Sequence, residues 1–298
     1  MQTWRPLPRI RLIRRMGRCQ RSGIAKQEQV EGTAGMENRG IERRLQAAIE
    51  AARLAGALLV AGPSDGLRTE SKGKSDFVTA MDLASEQLVK SYLHERFPKD
   101  NFLGEETGYE CHGDGGTWVI DPIDGTTNYI HGLFGYTISI AYEETSPEPL
   151  LGVVYVPEIQ ELFHAIQGGG AFCQGVAIRC SEESVPGDAV AIVSPPMRYP
   201  ARMSRYFNLY EDICPLVGEL RDYGSAALHM CLVAAGRAEA FIEFGLKYHD
   251  IAAGTVILKE AGGRMAPIEQ HTEGWTGDII ATNEQLHQWF TERTWHHY

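Results

Sequence analysis

The sequence predicts a layered α/β fold, and three observations carry that expectation. Apolar β-type runs alternate with helical stretches through the second half, as they do where sheets and helices pack as layers. Residues 118–129 read as strand, rigid turn and helix opening in direct succession. The chain has 298 residues, 43% hydrophobic and 22% charged, enough for one large or two modest domains with a full core.

Residues 1–35 hold eight Lys/Arg against two Glu and lack steady periodicity, so they read as a basic, disordered segment preceding a domain at 36–298. For Arg5–Arg21 a transit peptide or an RNA-binding arm is the alternative, and Met36 directly precedes the first good helical pattern. Ile41, Leu45, Ala48, Ile49, Ala52, Ala55 and Leu59 form an apolar stripe at helical spacing, ended by Gly62-Pro63. Gly66–Ser75 reads as a loop or hairpin, and a second helix is expected over Met81–Phe97, stopped by Pro98. A short apolar run, Phe102–Gly104, ends in Glu105 and Glu106. The strand Trp118–Ile120 should stop at Pro122. Further strands are expected at Tyr136–Ala141, Gly152–Val156, Leu162–Ile166 and Val176–Arg179, with Gly168–Gly170 as a tight turn. Then come strand Ala189–Val193, helix Tyr199–Tyr210, strand Leu220–Tyr223, helix Ser225–Ala235, strand Ala238–Phe244, helix Asp250–Ala261, strand Asp278–Thr282 and a closing helix from Asn283.

Asp121 and Asp124 flank the rigid turn, and Gly125-Thr126-Thr127-Asn128 opens a helix behind them. Carboxylates at the end of a strand can hold a hard cation, and free N–H groups beside them welcome phosphate. An ordinary surface turn uses the same residue types. Asp76, Glu105 and Asp250 are further acids at element ends. Alone, Asp76 and Asp250 could be helix caps and Glu105 a solvated loop residue. Oxygen ligands without Cys or His point to Mg²⁺ or Mn²⁺ rather than zinc. Net charge agrees: of −11 overall, residues 1–35 carry +6, so the body carries −17. Such a body repels nucleic acid, anionic membrane and a phosphorylated substrate unless cations bridge them. Six cysteines show no zinc spacing and no apolar run is long enough to cross a bilayer, so a cytoplasmic protein with reduced thiols is expected.

The string Asp121-Pro122-Ile123-Asp124-Gly125-Thr126-Thr127-Asn128 resembles the first signature of the inositol monophosphatase family of Mg²⁺-dependent, lithium-sensitive sugar phosphatases, and the likeness extends from about Ile41 to the C-terminal helix. The resemblance implies a five-layer α-β-α-β-α sandwich of the inositol monophosphatase and fructose-1,6-bisphosphatase type. It implies two or three Mg²⁺ ions held by Glu105, Asp121, the Ile123 carbonyl, Asp124 and Asp250. Asp76, after a loop containing Lys72 and Lys74, would orient and deprotonate the attacking water together with Thr126. Gly125 and Thr126 N–H groups would hold phosphate, and Gly224-Ser225-Ala226-Ala227 would line the sugar pocket. Glu243 would bind substrate hydroxyls, although it also fits an outward position on an alternating strand. The implied substrate is a small polyol phosphate, first inositol 1-phosphate, with histidinol phosphate, fructose 1,6-bisphosphate and adenosine 3′,5′-bisphosphate as rivals, and the implied assembly is a homodimer. A regulatory protein keeping the fold and contacting protein or RNA is the alternative class. One departure stands out. His249 occupies the position before Asp250 where many relatives carry Trp, which leaves the packing beside the substrate open.

Overall fold

The computed structural model describes residues 30–62, 69–73, 76–144, 148–268 and 277–297, with side chains outside 30–39, 69–73 and 76–78. Residues 1–29 of the expected basic segment lie outside them. In chain order the elements are α1 (Val30–Ala61), β1 (Thr69–Gly73), β2 (Asp76–Thr79), α2 (Ala80–Arg96), β3 (Asn101–Gly104), β4 (Gly108–Glu110), β5 (Thr117–Asp124), α3 (Thr126–His131), β6 (Thr137–Glu143), β7 (Leu151–Val156), β8 (Glu161–Ile166), β9 (Gly170–Cys173), β10 (Val176–Ile178), β11 (Val190–Val193), α4 (Met203–Ile213), β12 (Glu219–Arg221), α5 (Ala226–Ala234), β13 (Ala240–Glu243), α6 (Tyr248–Glu260), β14 (Arg264–Pro267), β15 (Ile279–Thr282) and α7 (His287–His296). The Met36 boundary therefore falls inside α1. Among the described residues no helix is long and apolar enough to cross a membrane.

The strands form a β1–β2 hairpin, an eight-stranded sheet of order β10-β9-β8-β7-β6-β5-β3-β4, and a five-stranded sheet of order β12-β11-β13-β15-β14. Apolar alternation sorts the layers. On α1, Leu45, Ala48, Ala52, Ala55 and Leu59 bury against Val89 and Leu93 of α2 and against Trp118, Ile120, Ile138 and Ile140 of the large sheet. The opposite face of that sheet, with Val119, Ala141 and Val154, packs on α5 and α6, which also cover Ile192, Phe241 and Ala281 of the small sheet. Small side chains let α6 lie flush, since a Cβ on Gly152 would fall 2.4 Å from the Ala253 carbonyl. Leu209 and Ile213 of α4 and Phe290 of α7 close the outer face of the small sheet. The result is the α-β-α-β-α sandwich expected.

Several expectations need correction. The strand is not stopped by Pro122. It runs on to Asp124 through a register shift against β6, where a residue without an N–H is tolerated. Thr79 caps α2: its hydroxyl oxygen accepts from Met81 N and Asp82 N, while Asp82 Oδ2 accepts from Thr79 N at 2.7 Å. Asp250 sits in the first turn of α6 rather than before it, and accepts from Lys247 N at 2.6 Å. The strands β4, β9 and β14 add to those the sequence predicts.

Candidate active site

The shift in β5 decides where its acids point. Val119 packs toward α5 and α6 and Trp118 and Ile120 toward α1 and α2, so Asp121 follows Val119. In a regular strand, residues three apart face opposite sides. Here Asp121 is opposite Ser139 and Asp124 opposite Thr137, three residues spanning two on β6. Ile123 drops into the α1/α2 core and Asp124 returns to the face of Asp121. Gly125 follows at φ 93°, where a Cβ would meet the Gly135 carbonyl at 2.9 Å, so the turn into α3 requires glycine.

On that face Glu105, Asp121, His249 and Asp250 each present a ligand atom within 4.8 Å of the others. Glu105 lies just beyond β3 and Asp250 on α6, so three separate elements converge. Lys247 Nζ donates to Glu105 Oε1 at 3.0 Å. His249 Nε2 lies 3.5 Å from Glu105 Oε1 and 3.3 Å from Asp250 Oδ1, yet makes no hydrogen bond of sound geometry. Asp124 is held from the other side. Ser225, the N-cap of α5, donates its hydroxyl proton to Asp124 Oδ2 at 2.7 Å, and Ala227 N donates to the same oxygen at 2.7 Å.

Electrostatically the cluster is frustrated. Burial, then the charges of Glu105, Asp124, Asp250 and Asp82, hold the Asp121 carboxyl well above the usual range. Burial and Asp250 push Asp124 up to about 7 against the opposing bonds from Ser225 and Ala227. Burial also raises Asp250. For Glu105 burial acts upward, but His249 and Lys247 outweigh it and lower the pKa. For His249 burial acts downward, and Glu105 and Asp250 outweigh it. Carboxylates that raise one another in this way fit a divalent cation among them.

Thr126 stands beside the cluster. Its hydroxyl can donate to the Ile123 carbonyl at 2.9 Å or to Asp82 Oδ1 at 3.2 Å, one proton for two acceptors. The side chain of Asp76 lies outside the described residues. Among the described residues the acid that meets Thr126 is Asp82, buried and raised by that burial. It was legible in principle, because Thr79-x-x-Asp82 is a capping-box spacing.

Gly224 is exposed, whereas Ser225 and Ala226 are buried and the Ser225 hydroxyl is engaged by Asp124. Glu243 is half-buried on β13, raised well above the carboxylate range by burial, Asp124 and Asp222. Its Oε2 lies 3.9 Å from Nδ1 of His229, a buried imidazole whose Nε2 accepts from Tyr223 N at 2.9 Å. Glu86, also missed from sequence, is fully buried and accepts from Glu106 N, Thr107 N and the Thr107 hydroxyl while pairing with Lys90 at 3.0 Å. It fixes the loop that carries Glu105.

A profile of the inositol monophosphatase family matches residues 41–298. The chain belongs to the inositol monophosphatase family. Among its relatives, the "Fructose-1,6-bisphosphatase/inositol-1-monophosphatase" of Aquifex aeolicus is 36% identical over 75% of this chain and 83% of its own length. A "Putative Nus factor SuhB" of Neisseria meningitidis is 36% identical over 81% of this chain and 94% of its own. Among solved structures, an IMPase from Thermotoga maritima superposes with a TM-score of 0.76 at 32% identity, covering 86% of this chain and 98% of its own. This inositol monophosphatase family member is thus a phosphatase by kinship.

Proposed function

We propose that this family member hydrolyses the phosphate monoester of a small polyol, inositol 1-phosphate first among candidates, in a Mg²⁺-dependent reaction. The observation that carries the reading is the convergence of Glu105, Asp121 and Asp250 from three elements beside Asp124, in a pocket too acidic to accept phosphate unaided. Glu105, Asp121, the Ile123 carbonyl, Asp124 and Asp250 would hold two or three ions, with Mn²⁺ an acceptable substitute. Bound there, Mg²⁺ supplies Lewis acidity toward the phosphoryl oxygens and makes water a better nucleophile.

The chain's own residues do the rest. Thr126 Oγ1 aligns the attacking water, and Asp82 Oδ1 receives its proton; Asp76, for which the resemblance implies that role, has its side chain outside the described residues. The N–H groups of Gly125 and Thr126 hold the phosphate, and Ser225 with Ala227 keeps Asp124 turned inward. Gly224 borders the sugar pocket, where Glu243 accepts from substrate hydroxyls. We further place the protein in the cytoplasm as a homodimer, which size-exclusion light scattering can check.

The test is phosphate release from inositol 1-phosphate, histidinol phosphate, fructose 1,6-bisphosphate and adenosine 3′,5′-bisphosphate, with and without Mg²⁺. Inositol 1-phosphate should give the highest kcat/KM, with activity lost in EDTA. The Nus factor name of one relative supports a second reading, in which the fold serves a partner rather than a reaction. Absence of turnover across the panel with both Mg²⁺ and Mn²⁺ would favour it.

A further inference from the structure

Apart from the Lys247 ammonium, which cannot coordinate while charged, His249 supplies the one nitrogen in the cluster among the described residues. We propose that His249 Nε2 is itself a ligand, so that this centre takes a borderline cation, Mn²⁺ or Co²⁺, in preference to Mg²⁺. The inference rests on the metal-dependent reading above and narrows it to a metal class.

Three observations converge. His249 Nε2 is sequestered from solvent, on a side chain only 11% exposed, and has no hydrogen-bond partner. A buried polar atom left unpaired is costly, and a native structure seldom tolerates one without use. His249 Nε2 also lies close to two of the carboxylates, with Glu105 Oε1 at 3.5 Å and Asp250 Oδ1 at 3.3 Å. Donors in neighbouring positions around one ion at about 2.1 Å are roughly 3 Å apart, so both spacings are near those of a shared ion. Finally, His249 and Asp250 are consecutive in the first turn of α6, which fixes the two donors relative to each other before any ion arrives.

The donor chemistry then sets the preference. Mg²⁺ seeks oxygen and pays little for imidazole, whereas Mn²⁺ and Co²⁺ gain from nitrogen, Co²⁺ more strongly.

The experiment uses the full chain, stripped with chelator and reloaded with Mn²⁺. Pulsed EPR should show ¹⁴N modulation from a directly bound imidazole in the wild type and none in His249→Phe, which keeps an aromatic ring and removes the nitrogen. Competition dialysis should show the Mn²⁺-over-Mg²⁺ preference falling on the order of tenfold in His249→Phe and in His249→Gln. Bound Mn²⁺ without nitrogen modulation in the wild type would overturn the proposal, as would an unchanged preference in folded variants. Should both variants fail to fold, the wild-type spectrum alone decides. If neither Mn²⁺ nor Mg²⁺ binds the wild type, the metal-dependent reading itself falls, an outcome distinct from oxygen-only binding.

Discussion

Asp121 is crowded by four other carboxylates, and Asn at that position keeps the shape while removing the charge. Asp121→Asn and Asp124→Asn should each lower kcat by roughly a hundredfold or more at saturating Mg²⁺, while the metal-free variants melt higher than wild type because repulsion is relieved. Phosphate release and thermal melts in EDTA read the two effects separately. Asp82→Asn should cost kcat about 10²–10⁴-fold while Asp76→Asn stays within a few-fold; the reverse pattern would return the water-activating role to Asp76. His229 offers a pH test. Burial lowers its pKa to about 3, below its ordinary 6.5, so its stabilising contribution is complete above about pH 6.5 and is lost as pH falls from there toward 3. Between pH 7 and pH 5 the unfolding free energy of wild type should drop about 2 kcal/mol further than that of His229→Asn, measured by urea titration. Asp121 and Asp124 were legible in the sequence because they sit in one contiguous string. The roles of Asp82, Glu86 and His249 were not: Asp82 shows only a capping-box spacing, Glu86 an ordinary helical position and His249 only a departure from the family's Trp, until the fold brings their partners alongside.

At the scale of elements, α2 has a second task beyond burying Val89 and Leu93. Its Glu86 and Lys90, one turn apart and both buried, underpin the loop after β3. Glu86→Ala leaves the Lys90 charge buried beside Glu110 alone and frees the N–H groups of Glu106 and Thr107. It should cost about 3–5 kcal/mol of stability and weaken metal binding through Glu105, both visible in Mg²⁺-dependent melts. A destabilised variant with unchanged Mg²⁺ affinity would separate α2 from the site. The helices α5 and α6 were legible because each is a run of largely apolar residues that ends just before glycine, at Gly236 and Gly262. β9 begins at Gly170 and β14 reads Arg-Met-Ala-Pro, so neither shows the alternation of a strand. The path of β5 through Pro122 was hidden for another reason. Proline normally ends a strand, and only the partner register of β6 reveals the extra residue.

Across the whole molecule the five layers followed from alternation together with family resemblance, since composition alone does not order sheets. The cluster lies between the large sheet and α6, so cation binding should stabilise the entire sandwich. Mg²⁺ at a hundred times its Kd should add about 2.7 kcal/mol, and EDTA should remove it. A melting temperature insensitive to both would mean that no ion binds there. The clasp on Asp124 carries one more consequence, for synthesis. Asp124 is 101 residues before Ser225 and 103 before Ala227, and Glu105 is 142 before Lys247. A chain emerging from the ribosome therefore exposes its acidic β5 long before α5 and α6 exist to receive it. Its first half must wait with that face open, and the acid cluster is among the last features of the protein to be assembled.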